Sequence, residues 1–299
     1  MRPLRAIRKV NLEQLVENEN IQNISVDYNG NLVILSVTKD EGDTLHSIFH
    51  VTASGVRKIS LPPVKEAFHH VQPLREHWLL VNGRVMDNQT HNAFVYDDQQ
   101  GLVTSFHLGD GIEHVQTTDQ GDIWVGYFDE GVFGDTIGTS GLLCFDQKGD
   151  IVFDFDALVK LNKKIPLIDD CYALNVITND TVYLYYFGDF PIVALRHKSE
   201  YELWKDQLLK RPPIEGSQAF SIWEDHVLFS HGYKEKGTVH LYSFTQKSVK
   251  SYLPVNEEDE VIHYEFATGR QHLLYLVTEN TVYQIDLKEV VGRDDENES

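Results

Sequence analysis

Six times along the chain, at intervals of 47, 44, 57, 47 and 45 residues, a polar residue opens a short strand that leads through a tight turn into a strongly apolar strand. The polar anchors are Asn23, His70, His114, Cys171, Gln218 and His263. A period of about 40 to 50 residues restricts a chain to repeat architectures in which each unit buries its faces against its neighbours. The turns carry Asp27-Tyr28-Asn29-Gly30, Asp119-Gln120-Gly121, Asn179-Asp180 and Thr268-Gly269. The apolar strands follow at 32–37, 78–81, 123–127, 182–187, 227–229 and 273–277. Their near-continuous apolar character is what a strand needs when its sheet is covered on both faces. A third strand ends in a polar hairpin such as Val95-Tyr96-Asp97-Asp98-Gln99-Gln100-Gly101, and an alternating fourth strand closes the unit, as at 56–61, 102–108, 151–155 and 249–253. Four strands repeated six times give an all-β fold, a six-bladed β-propeller of four-stranded antiparallel blades.

The last unit supplies only three strands before an acidic tail. Residues 4–10, with Leu4, Ala6, Ile7 and Val10, precede the first unit and are expected to form the missing outer strand beside 282–287, so that an N-terminal strand closes the last blade and removes two open edges. The expected organisation is one domain over 1–291 and an acidic disordered tail over 292–299. Short helices are expected within 11–20 and 157–170.

Acidic residues outnumber basic ones, 46 to 26, for a net charge of −20 that repels phosphate backbones and anionic lipid headgroups. Nucleic acid and membranes are therefore not expected partners. No stretch approaches the roughly 18 apolar residues of a membrane span, and the basic start of the chain lacks an apolar core of signal-peptide length. The two cysteines, Cys144 and Cys171, form no CxxC pair; a reducing, cytoplasmic setting is the expectation, with both thiols semi-buried and a disulfide or reactive thiol as the alternative.

The stretch Gly121-Asp122-Ile123-Trp124-Val125-Gly126-Tyr127-Phe128-Asp129-Glu130-Gly131-Val132-Phe133-Gly134, followed by Gly141-Leu142-Leu143-Cys144-Phe145-Asp146, resembles a block in a group of uncharacterised bacterial propeller proteins. The Asp/Gly turn before Ile-Trp is more loosely similar to blades of streptogramin-lyase-like propellers. Both resemblances imply the fold; neither implies an activity, and no catalytic residue is carried over.

Candidate site residues come from blade geometry. The first strand of each blade lines the central channel, and the loops between second and third strands share one face with the links between blades. His70, His114 and His263 occupy equivalent anchors, although the chain has only 14 histidines, and Gln72, Gln116 and Glu265 follow two residues later on the same side of their strands. Three readings are open: a water-lined channel, a pocket for a small ligand, or three imidazoles holding Zn²⁺ or Mn²⁺. Asp129, Glu130 and Asp135 lie on a Gly-rich rim loop at 128–140, which is read as structural, as ligand-contacting, or as a Ca²⁺ loop outside the EF-hand pattern. No GxSxG, HExxH, P-loop or Rossmann fingerprint occurs. The expected function is a non-enzymatic module binding a small molecule or a protein, without a cofactor; the alternative is a metal-assisted lyase or hydrolase using a divalent metal at the channel histidines.

Overall fold

The computed structural model describes residues 1–17, 19–40, 43–85, 87–204 and 214–298. The chain begins with two short strands, β1 (Arg2–Arg5) and β2 (Ile7–Asn11), and a one-turn helix, α1 (Leu12–Val16), whose N-terminus is capped by the Asn11 side chain accepting from the Gln14 N–H. Blade one follows as β3 (Asn20–Val26), β4 (Leu32–Asp40), β5 (Asp43–Thr52) and β6 (Gly55–Ser60), and blade two as β7 (His70–Leu74), β8 (His77–Val81), β9 (Ala93–Tyr96) and β10 (Leu102–Phe106). Blade three contains β11 (Ile112–Thr117), β12 (Ile123–Tyr127), β13 (Leu142–Phe145) and β14 (Ile151–Asp154), with α2 (Asp129–Val132) in its rim loop. Helix α3 (Phe155–Leu161), capped by Asp154, leads to blade four: β15 (Asp170–Val176), β16 (Thr181–Phe187), β17 (Ile192–Arg196) and β18 (Glu200–Trp204). Blade five is β19 (Phe220–Trp223), β20 (His226–Phe229), β21 (Val239–Ser243) and β22 (Ser248–Val255). Blade six has β23 (Phe266–Arg270), β24 (Leu273–Val277) and β25 (Thr281–Asp286), followed by α4 (Leu287–Glu298).

The second strands show why the sequence closes into a ring. In β4, Leu32 and Ile34 pack with Tyr275 and Val277 of blade six, while Val33 and Leu35 pack with Val71 and Leu80 of blade two. In β8, Trp78 and Leu80 face blade one, and Leu79 and Val81 face blade three. Alternate side chains therefore belong to different cores, and the six apolar clusters correspond to six blade-to-blade interfaces. The inner strands β3, β7, β11, β15, β19 and β23 touch in that order and return to β3.

Closure is more elaborate than the single outer strand expected at 4–10. Only β2 pairs antiparallel with β25, from Ile7 opposite Gln284 to Asn11 opposite Thr281. The preceding residues pair in parallel with β22, Leu4 opposite Pro254 and Arg5 opposite Val255, which makes blade five a five-stranded sheet. The chain crosses between blades at Ala6, which is fully buried and donates its N–H to the Val255 carbonyl at 2.8 Å. A methyl side chain fits this crossing between two sheets.

The register also corrects the repeat in blade six. Thr268 and Gly269, expected as a turn, lie inside β23; the turn is made by Gln271 at φ 52°. His70 faces the last residue of β8, Val81, and the residue facing the last position of β24, Val277, is Phe266. His263 therefore precedes the inner strand and has an exposed side chain on the link between blades five and six. Glycine at 269 serves packing, since a Cβ there would stand 2.0 Å from the Phe220 carbonyl oxygen of the neighbouring inner strand. At the other end of the domain, helix α4 carries helical backbone through Glu298, into the segment expected as a disordered tail; residue 299 lies outside the described residues.

Candidate functional site

The inner strands enclose a well of about 410 Å³. His70 and His114 line it, as do Gln72 and Gln116, together with Asn23 and Glu113. The two histidines hold equivalent posts. His70 Nε2 meets the Ile112 carbonyl oxygen of blade three at 3.2 Å, and His114 Nε2 meets the Tyr172 carbonyl oxygen of blade four at 3.0 Å. A carbonyl only accepts, so each ring carries a proton on Nε2. Burial pushes the His70 imidazole down to about 4, against the pull of the Ile112 carbonyl.

The glutamines tie blades together lower in the well. Gln72 donates to the Val26 carbonyl of blade one and accepts from the Thr117 N–H of blade three at 3.4 Å. Gln116 donates to the Leu174 carbonyl at 2.9 Å and accepts from the Val176 N–H at 2.8 Å. Beneath it lies Arg270, 1% exposed, whose Nη1 donates to Gln116 Oε1 at 2.9 Å and whose Nη2 donates to the Thr117 carbonyl at 2.6 Å. Burial lowers its pKa to about 9, with Asp27 acting in the opposite direction, so the guanidinium keeps its charge at neutral pH. Asn175 donates to the carbonyls of Phe220 and Gln271 and accepts from the Gln271 N–H, while Gln271 Nε2 donates to the Tyr28 and Ile177 carbonyls. These side chains draw the lower ends of the inner strands into one hydrogen-bonded floor. Arg270, Asn175 and Gln271 were not singled out in the sequence; the available signal was a charged and an amide residue at the turn-proximal end of inner strands that are otherwise apolar.

At the upper end the well meets a second cavity of about 260 Å³, with which it shares Gln218, Phe266 and Ala267. Glu265 lines this side cavity and is absent from the well's lining, and His263 lines neither. The aromatic rings of Tyr172 and Tyr233 meet there edge to face, 6.1 Å apart, with their hydroxyls hydrogen-bonded at 2.5 Å. Phe190 and Phe187 extend the cluster, and Phe187 and Tyr233 are about half exposed. The three imidazoles expected as one metal set are thus not brought together, and among the described residues no group of three or more His, Cys, Asp or Glu side chains has the arrangement to hold a metal ion.

The rim loop at 128–140 rests against the link between blades two and three. Asn88 donates to the Asp135 carbonyl oxygen at 2.9 Å, and Arg84 joins Glu130 at 2.7 Å and Asp110 at 3.1 Å. Asp129 accepts from the Glu130 N–H at 2.7 Å. The carboxylates of Asp129 and Glu130 thus serve different partners, while Asp135 enters the contact through its backbone. Gly131 is required here, because a Cβ would stand 2.6 Å from the Asp110 carbonyl oxygen. Asp129 also reaches electrostatically across the rim: burial, then Asp129 and Glu113, raise the Asp170 carboxyl to about 6. Residues 41, 42 and 86, in the loops that join second to third strands in blades one and two, lie outside the described residues. Both cysteines are buried free thiols, with burial pushing their pKa values up.

The geometry is that of a six-bladed propeller with a polar, floored central well. A family model described as the YxzG family matches residues 142–285, from β13 to the end of β25. No curated protein matches the sequence. Among solved structures the chain is similar to a streptogramin B lyase, at 10% identity with TM-score 0.43 over 89% of this chain and 92% of that one. It is similar also to YCF48 bound to D1 peptide, at 8% identity with TM-score 0.47 over 92% and 93%. A third is an uncharacterized protein from Listeria monocytogenes EGD-e, at 11% identity with TM-score 0.47 over 92% and 82%. Among the described residues no helix is long and apolar enough to cross a membrane.

Proposed function

We propose that the protein is a binding module that admits its ligand into the central well from the rim that carries the links between blades. The supporting observation is the asymmetry of the well. Its lower end is tied shut through Arg270, Gln116, Asn175 and Gln271, whereas its upper end is bordered by the exposed side chains of Glu113, Gln218 and Phe266 and continues into the aromatic side cavity. A concave site of a few hundred Å³ with a few convergent polar groups and an apolar flank suits a small molecule or one side chain of a protein partner.

The test is a thermal-shift screen of small metabolites and short peptides against the wild-type chain and Thr268→Trp, whose indole would occupy the well. Ligands of the well stabilise the wild type and lose that effect in the variant, provided circular dichroism shows both folded. Ligands that stabilise both proteins equally would place binding elsewhere and overturn the reading.

A further inference from the structure

The hydrogen-bonding groups around the mouth of the well are unbalanced. His70 and His114 have committed their Nε2 protons to main-chain carbonyls, and His70, kept neutral by burial, has only the lone pair of Nδ1 left to offer. Glu113 lines the well and makes no ion pair with a described residue; Asp170, outside the lining, is raised first by burial and then by Asp129 and Glu113. Among the described residues no Lys or Arg lines the well, whose free donors are neutral groups such as Gln218 and Thr268, and Lys236 borders only the side cavity, so the Glu113 charge is left for an occupant or water to match. Beside them stand the rings of Phe266 and, in the side cavity, Tyr172, whose π faces attract cations.

Resting on the reading of the well as the binding site, we propose that its mouth binds an alkylammonium group, with N–H donors directed to Glu113 and to Nδ1 of His70. The same arrangement sets the depth of binding. Arg270 holds a buried positive charge beneath Gln116, so a cation is drawn to the acidic rim and repelled from the floor. An anionic ligand would have to pass Glu113 and reach a guanidinium whose Nη donors already serve Gln116 and Thr117. The ammonium could come from a free polyamine or from a lysine side chain of a peptide, and the chemistry at the mouth is the same for both.

The experiment is isothermal titration calorimetry of the full chain with spermidine, the peptide Gly-Lys-Gly, n-butylammonium, 1-butanol and butyrate. A single saturable site for the amines is expected, with no site for butanol or butyrate. The exposed Glu113→Gln should weaken binding by about tenfold. Glu279→Gln, an exposed carboxylate in the turn before β25, is the control for nonspecific attraction to a chain of charge −20 and should leave affinity unchanged. Tighter binding of Gly-Lys-Gly than of spermidine assigns the group to a peptide; the reverse assigns it to a free amine. The proposal is overturned by absence of saturable amine binding, by equal affinity in Glu113→Gln and wild type, or by preference for butyrate. A non-amine ligand lost in Thr268→Trp, with no amine binding, keeps the well and removes the ammonium assignment. Amine binding lost in Glu113→Gln but intact in Thr268→Trp keeps the ammonium site and removes the well as the route.

Discussion

Lowering the pH from about 7.5 to 5 should destabilise this propeller through two histidines that it keeps neutral. His46, 2% exposed and packed against Phe68, is pushed down to about 4 by burial, with Glu66 acting weakly against it; His70 is pushed to about 4 for the same reason. Both depressions mean that the unfolded chain binds protons that the folded one refuses. Stability is therefore full above the unfolded histidine value near 6.5 and falls as pH drops from there toward 4. At pH 5 an unfolded imidazole is almost fully protonated and the folded one almost fully neutral, so each group costs roughly 2 kcal/mol relative to neutral pH. Asp170 works in the other direction. Its folded carboxyl, raised to about 6, gains a proton on acidification before the unfolded one does, returning about 1 kcal/mol over the same interval. The carboxyls of Glu19 and Asp27 are lowered in the folded state, so their losses fall below the ordinary carboxylate range and outside the interval. Guanidinium unfolding at pH 7.5, 6.5, 5.5 and 5 should show the wild type losing at least about 3 kcal/mol, because burial also lowers His69, His231, His240 and His272, with Asp170→Asn losing more and His46→Leu losing about 2 kcal/mol less than its parent. A midpoint that stays level between pH 7.5 and 5 in Asp170→Asn, or an undiminished slope in His46→Leu, would refute the account of buried neutral imidazoles.

Three further outcomes follow from the packing. Deleting residues 1–11 uncovers the outer edges of β22 and β25 together and removes the buried Ala6, so unfolding should shift by several kcal/mol and light scattering should report association; an unchanged midpoint would count against the crossed closure. Gly269→Ala sets a methyl against the Phe220 carbonyl at 2.0 Å and should cost about 3 kcal/mol or prevent folding, measured against the mild Thr268→Ser. Arg270→Lys removes the planar fork that serves Gln116 and Thr117 at once and should cost about 1.5–3 kcal/mol by chemical denaturation, whereas a variant as stable as wild type would show that the floor is held by Asn175 and Gln271 alone.

The blade count was legible because each repeat satisfies itself locally: turn residues such as Asp27, Asp97 and Asp146 accept from main-chain N–H groups two and four positions on, and the second strands alternate between adjoining cores. What escaped the sequence is what joins residues distant in the chain. Gln116 and Arg270 are 154 positions apart, and Gln271 and Tyr28 are 243 apart. Glycine misled the register of blade six because it serves close packing at 269 while a non-glycine residue, Gln271, takes the left-handed turn; the slip of three residues carried His263 and Glu265 away from the wall that His70 and His114 occupy. The aromatic cavity was missed because Tyr172 and Tyr233 come from different blades and share no spacing.

The crossing at Ala6 bears on how the chain comes to be folded during synthesis. Residues 2–11 are made before the six blades and pair with residues 252–255 and 281–284, which are made after most of them. Each blade can associate with the one before it as it is made, giving a growing arc whose ends stay apart. The first strands have no partner until the arc is nearly complete, and when they do engage they fasten two neighbouring blades in a single step. An incomplete chain therefore carries both an unpaired leading strand and an unfinished trailing edge, and joining of the two converts a linear array into a cooperative whole.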